Sequence, residues 1–199
     1  MIPLFDITNS IFTSKTYVLG DTNQSSIWLV DCGDIDKVLA QIGDLVIAGV
    51  LLTHAHFDHI YGLPELLQHF PLCQVVTNEV GLKTLADSRL NLSRYHETPI
   101  AVSPENVLLV QEGDSVPLFE DLSARVYETP GHHPSCLTFE IGDCLFTGDA
   151  YIPGEKVITN LPGGDKALAA ESVKRILELG VGKTILSGHA WIWQSSFPC

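Results

Sequence analysis

Four residues with metal-binding side chains, His54, His56, Asp58 and His59, fall inside THAHFDHIYG, directly after the apolar run LVIAGVLL. The length and β-branched content of that run predict a buried strand from Leu45 to Leu52, which leaves His54 and His56 at a strand end. Extended chain alternates faces with a period of two residues, so histidines at i and i+2 point the same way and can reach a single cation. Asp58 and His59 follow where the chain must turn. GLPELLQHF, with Pro64 near its start and Leu63, Leu66, Leu67 and Phe70 at helical spacing, reads as a helix that begins beside them. Neutral imidazole suits zinc, copper, iron or nickel, and a carboxylate can bridge two cations.

Three further ligand candidates each close a strand-like segment. SARVYE runs into TPGHH with His132, CLF runs into TGDA with Asp149, and KTIL runs into SGH with His189. Gly131, Gly148 and Gly188 stand immediately before these residues, which suits sharp turns and close approach to a site. Ligand sites of α/β sheets gather at such strand ends. A lone histidine after a strand is ordinarily a polar loop residue, and tripeptides such as TGD or SGH arise by chance. The ordered set of seven is far more specific than any one member.

On those residues the chain resembles the metallo-β-lactamase superfamily, and within it the single-domain glyoxalase II-like hydrolases. THAHFDH fits the H-x-H-x-D-H motif, and His132, Asp149 and His189 fit the remaining ligand positions in order. The resemblance implies an α/β fold of the four-layer αββα sandwich type, as one domain over residues 1–199. It implies that His54, His56 and His132 hold one metal, that Asp58, His59 and His189 hold the other, and that Asp149 bridges them. Asp31 in VDCG matches the family's early aspartate-glycine motif, which supports the metal histidines from behind. The implied cofactor is a pair of divalent ions, zinc by default, with iron or manganese fitting the same ligands.

Two cations about 3.5–4 Å apart share a water and lower its pKa until hydroxide exists at neutral pH. One metal then polarises a substrate carbonyl while the other receives the leaving group, and Asp58 is the candidate to orient the hydroxide. The expected activity is hydrolysis of a small acyl compound, a thioester or lactone. Three other readings stay open: a mononuclear-iron sulfur dioxygenase, a β-lactamase-type amide hydrolase, and a non-catalytic metal-binding protein. Aspartate at position 149, where some β-lactamases carry cysteine, favours the thioesterase and lactonase branches. Glyoxalase II enzymes bind glutathione through a C-terminal helical extension, whereas this sequence runs only to Cys199, so glutathione recognition is not implied.

The chain has 199 residues, 45% of them hydrophobic, enough for one core-forming domain. Eleven Lys and Arg against 24 Asp and Glu give a net charge of −13, which argues against a nucleic-acid partner. MIPLFDI has no signal-peptide pattern and no apolar run reaches membrane-span length, so a cytoplasmic protein without a membrane partner is expected. Five scattered cysteines fit reduced thiols, with Cys32, Cys136 and Cys144 as core residues.

Residues after Asp149 are candidates for substrate contact. Tyr151 is weighed as a hydroxyl donor to a bound carbonyl and as a partly buried aromatic, the second being favoured. Trp191, with Trp193, is weighed as an apolar wall over the metals and as core cover. LPGGD precedes a helix predicted from Lys166 to Leu179, with Leu168, Val173, Ile176, Leu177 and Leu179 as its packing face. His133 is expected to support the ligand histidines or to be exposed.

Overall fold

The computed structural model describes residues 5–20 and 25–190. Its first half builds a six-stranded sheet from β1 (Phe5–Thr8), β2 (Lys15–Leu19), β3 (Ser26–Val30), β4 (Val46–Leu51), β5 (Gln74–Thr77) and β6 (Val107–Leu109), adjacent in that order. The second half builds a five-stranded sheet in the order β11 (Thr184–Ser187), β10 (Cys144–Gly148), β9 (Leu137–Ile141), β8 (Leu122–Glu128) and β7 (Ser115–Phe119).

Alternation along the strands generates the layers. In β2 to β5, Val18, Ile27, Leu29, Val50 and Val75 face the helices α1 (Ile35–Ile42), α3 (Leu63–His69) and α4 (Glu79–Leu85), in one cluster with Ile35, Val38, Leu63, Leu66 and Leu85. Their neighbours Tyr17, Leu19, Trp28, Val30, Leu51 and Val76 face the other way and meet Val116, Val126, Leu137, Phe139 and Phe146 of the second sheet. A sheet buried on both faces needs apolar side chains at both parities, which explains why LVIAGVLL reads as an unbroken run. Beyond the second sheet lies α5 (Lys166–Leu179), whose Ile176 packs on Cys136 and Ala150. The result is the expected αββα sandwich.

The helix at 166–179 has the expected bounds and packs through Ile176 as expected, with Val173 and Leu179 half-buried, but part of its inner face differs. Ala169, Ser172 and Ile176 are buried, while Leu168 and Leu177 are 42% and 48% exposed. Close contact with the loop that carries His132 selects small residues there: Ser172 Oγ donates to Pro130 O at 2.6 Å, and Asp165 N donates to Gly131 O at 2.8 Å. LPGGD ends as a cap, with the Asp165 carboxylate accepting from Ala167 N and Leu168 N at 2.8 and 3.0 Å. The turn expected at Asp58 and His59 is a short helix, α2 (Phe57–Ile60), separated from α3 by Tyr61 and Gly62.

Strand direction places the site. β3 and β4 are parallel, β10 and β11 are parallel, and β8 runs with β10 because each is antiparallel to β9. The segments carrying Asp31, His54, His132, Asp149 and His189 therefore leave their sheets at carboxyl ends on one rim. Leu137 N donates to Thr53 O at 2.7 Å and Ser14 bridges to His189, which ties the two sheets together at that rim.

Candidate metal centre

The seven candidate residues converge. His54, His56 and His132 form one group able to hold an ion; Asp58, His59 and His189 form another; Asp149 joins His54 and His59 in a third. His56 Nδ1 lies 2.9 Å from His132 Nε2. In the second group His59 Nε2 is 3.4 Å from both Asp58 Oδ2 and His189 Nε2, and His189 Nε2 is 3.2 Å from Asp58 Oδ2. Asp149 Oδ2 stands between the groups, 3.5 Å from His132 Nε2 and 3.3 Å from His189 Nε2.

Hydrogen bonds on the far side of three of the rings fix which nitrogen faces inward. His132 Nδ1 lies 2.9 Å from Ile158 O, and His189 Nδ1 lies 2.8 Å from Phe12 O. A carbonyl only accepts, so both Nδ1 atoms carry a proton, which leaves Nε2 of each ring facing the centre, where it can give its lone pair to a cation. His59 Nδ1 is held at 2.8 Å by Asp31 Oδ2. The other Asp31 oxygen accepts Thr53 N, and Oδ2 also accepts Thr53 Oγ1, each at 2.7 Å. Asp31 itself sits at φ 57°, a left-handed conformation that aspartate tolerates better than most residues. Asp31 thus holds His59 and Thr53 directly, the contacts through which the expected support would act.

Charge and burial agree with a cation site. Burial, reinforced by the neighbouring imidazoles, drives His54 well below its ordinary value and His56 down to about 3, so both are neutral donors. For His189 burial acts downward, but the Asp149 and Asp58 carboxylates outweigh it and push the ring up to about 10. Burial would also protonate Asp149, yet His59, His189 and His54 hold it well below the usual carboxylate range. Three largely buried carboxylates, of Asp31, Asp58 and Asp149, call for positive charge among these rings. His54 Nε2 and Asp149 Oδ1 are buried without a hydrogen-bond partner, which is costly for polar atoms unless a cation takes them. By donor type, lone-pair direction and charge, the residues fit divalent metals.

Gly188 is required by proximity: a Cβ there would lie 2.3 Å from Asp149 Oδ1 and 2.8 Å from His59 Cε1. At Gly148 the requirement is conformational as well, because φ is 50° and a Cβ there would lie 2.4 Å from Thr53 Oγ1.

A cavity of about 280 Å³ opens onto His132, Asp149 and His189, walled by Phe12, Thr13, Ile152, Val157 and Ile158, with Glu155 and Lys156 also in its lining. Tyr151 is not among its residues; it packs instead on the Cys136, Ala150 and Ile176 cluster, the favoured reading for this aromatic. His133 is buried, not exposed, with its ring 4.8 Å from that of His56 and its Nδ1 2.7 Å from Ser135 Oγ. Trp191 and Trp193 lie outside the described residues. Sequence reasoning missed Phe12 and Thr13, because nothing local marks a residue that meets His189 across 177 positions.

Residues 17–189 match the family model of the metallo-β-lactamase superfamily, and the chain belongs to that superfamily, whose members are largely metal-dependent hydrolases. It is similar to a hydroxyacylglutathione hydrolase of Xylella fastidiosa strain M12, 31% identical over 164 residues that cover 82% of this chain and 55% of that protein. The chain thus spans about half the length of that relative. A probable metallo-hydrolase of Bacillus subtilis, YqgX, is 31% identical over 144 residues, covering 70% of this chain and 67% of its own. Among solved structures, the B3 metallo-β-lactamase BLEG-1 superposes with a TM-score of 0.83 at 26% identity, over 94% of this chain and 91% of that one. TTHA1623, in a di-iron-bound form, gives 0.79 at 29% identity over 94% and 93%.

Proposed function

We propose that this chain is a dinuclear metallohydrolase that cleaves a small acyl compound, a thioester or lactone. The observation that carries the reading is Asp149 Oδ2 set within 3.5 Å of one inward Nε2 from each group, at the floor of an open cavity. His54, His56 and His132 would hold one ion, Asp58, His59 and His189 the other, with Asp149 shared. Bound cations supply the acidity that makes water a nucleophile at neutral pH and the charge that receives a developing oxyanion.

The chain's own groups supply the rest. Asp58, hydrogen-bonded to His189 on one side, keeps lone pairs free to orient the attacking water and take its proton. The carbonyls of Phe12 and Ile158 and the carboxylate of Asp31 keep three rings in the donor tautomer. Covalent catalysis by the cysteines among the described residues is disfavoured: Cys32, Cys73, Cys136 and Cys144 are buried, and burial raises every one of their pKa values, Cys73 to about 12.

Zinc is the first choice of metal, and the di-iron-bound relative supports iron as the second. A mononuclear-iron dioxygenase would leave the Asp58, His59 and His189 group without a purpose, which favours the two-metal reading. A non-catalytic metal protein is disfavoured by the cavity that reaches Asp149. The likeness to BLEG-1 keeps β-lactams on the assay panel. The thiols of Cys32, Cys73 and Cys136 and the acidic composition support a cytoplasmic setting and a small-molecule substrate rather than a nucleic acid. Among the described residues no helix is long and apolar enough to cross a membrane.

The test is plasma mass spectrometry of protein purified without added metal or chelator, followed by thioester, lactone and β-lactam assays. Two zinc, iron or manganese ions per chain with thioester or lactone turnover are expected. One iron with oxygen consumption on persulfides, or no metal after reconstitution, would overturn the reading.

A further inference from the structure

The cavity's walls come from two loops far apart in sequence, residues 9–14 between β1 and β2 and residues 152–158 after β10. Each loop does two things at once. Phe12 gives its carbonyl to His189 and Ile158 gives its carbonyl to His132, so each loop braces one histidine, and the two histidines belong to different metal groups. The side chains of the same two residues are left 66% and 54% exposed, large apolar surfaces that line the cavity instead of the core.

That arrangement is costly to build. Phe12 and Thr13 both take left-handed φ values, 51° and 57°, which non-glycine residues adopt reluctantly. Bonds at 2.7 to 3.1 Å hold the loop there: Ser14 Oγ donates to Asp58 O, Ala190 N to Thr13 O, and Asn9 Nδ2 to Ser14 Oγ. On one flank the Phe12 ring meets His96, 5.7 Å between centroids, and His96 in turn packs on Phe57 at 4.2 Å, which gives the exposed phenyl a backing. Strain accepted to present an apolar side chain beside a polar centre points to recognition.

We infer that Phe12 and Ile158 form an apolar clamp, completed by Ile152 and Val157, that recognises a short unbranched acyl chain on the scissile carbonyl. The inference rests on the hydrolase reading for its chemistry, but not for its binding. The cavity, about 280 Å³, is at the small end of ligand pockets, so a chain of a few carbons is the matching size. Away from the metal-centre residues, its charged lining residues are Lys156 and Glu155, which oppose each other in sign, so the walls offer no concentrated charge for a polyanionic tail. The net charge of −13 acts against such a tail in the same direction.

Two series test this on the metal-loaded protein: N-acetylcysteamine thioesters of acetyl, butyryl and hexanoyl groups for turnover, and acetate, butyrate and hexanoate for binding by calorimetry. KM and Kd should fall about fourfold for each methylene that enters the clamp. Phe12→Ala and Ile158→Ala should each lose kcat/KM in a chain-length-dependent way, least for acetyl and tenfold or more for hexanoyl, with metal content per chain unchanged. A flat dependence on chain length in the unaltered protein overturns the clamp. So does an equal loss on all three thioesters, which would mean that these residues act only through the histidines they brace. Absence of any turnover with two metals bound would count against the hydrolase reading alone. The carboxylate series then still decides: tighter hexanoate binding that either variant weakens supports the clamp, and equal binding of all three acids overturns it.

Discussion

Asp31 Oδ2 lies 2.8 Å from His59 Nδ1 while the same carboxylate takes both donors of Thr53, so one buried residue at the end of β3 sets a ring in α2 and anchors the segment that follows β4. Asp31→Asn keeps the shape and tolerates the left-handed backbone, but removes the charge behind the imidazole. The expected result is a 10- to 100-fold loss of affinity at the Asp58, His59 and His189 position, read by chelator competition. An unchanged affinity would remove this support role.

Asp149→Ala deletes the carboxylate placed between His132 and His189, the group proposed to be shared by two metals. Both ions should be lost together in elemental analysis. Loss of one ion alone contradicts sharing by this carboxylate.

Asp58→Ala should reduce kcat by about 10²- to 10⁴-fold, the usual range for removing a proton acceptor, while the far-ultraviolet spectrum stays that of the parent. The fold survives because the Asp58 contact that ties down residues 9–14 is its backbone carbonyl, which accepts from Ser14 Oγ at 2.7 Å and is untouched by the substitution. Parental turnover in this variant would end the proposed role.

Gly188→Ala forces a methyl against Asp149 Oδ1 and the Gly148 backbone, at 2.3 and 2.8 Å. Overpacking of this kind costs about 1–3 kcal/mol. A lowered melting temperature together with reduced metal content is expected from calorimetry and elemental analysis. A variant with parental values of both would show that the loop yields freely.

Asp34 supplies a pH test away from the metal centre. Burial would raise its pKa, but Lys37 at 2.5 Å, the Tyr61 hydroxyl, and Ser10 through N and Oγ at 2.9 and 2.8 Å hold it from 3.8 down to about 2. A depressed folded-state value means stability present above the unfolded value and lost as pH falls through the folded one. The shift corresponds to about 2.4 kcal/mol, reduced by solvent screening to about 1 kcal/mol. Asp34→Asn should lower urea stability by that amount at neutral pH, with the difference closing between about pH 4 and pH 2. A difference independent of pH would assign the effect to packing instead of charge.

The candidate ligand set was legible as a set of converging donor side chains because its information is local. His54 and His56 at period two after an apolar strand, and a glycine before each later ligand, are patterns that a few consecutive residues fix by backbone geometry. The strands around 45–52, 123–128, 144–146 and 183–186 were legible for the same reason, since burial on one or both faces leaves a readable period. Part of the packing face of α5 was not: Leu168 and Leu177 look like core by spacing, but the proximity of Pro130 and Gly131 requires the small Ala169 and Ser172 on the inner side.

By itself, then, the sequence determined the sandwich and the seven candidate donors, because strand periodicity and ligand chemistry are properties of short segments. Only the tertiary structure decided which nitrogen of three of the rings faces inward, that Asp149 stands between the two groups, and that Phe12 meets His189 from 177 positions away. Those depend on which carboxyl ends share a rim and on hydrogen bonds between distant loops, and no local pattern encodes a partner that the chain reaches only after folding.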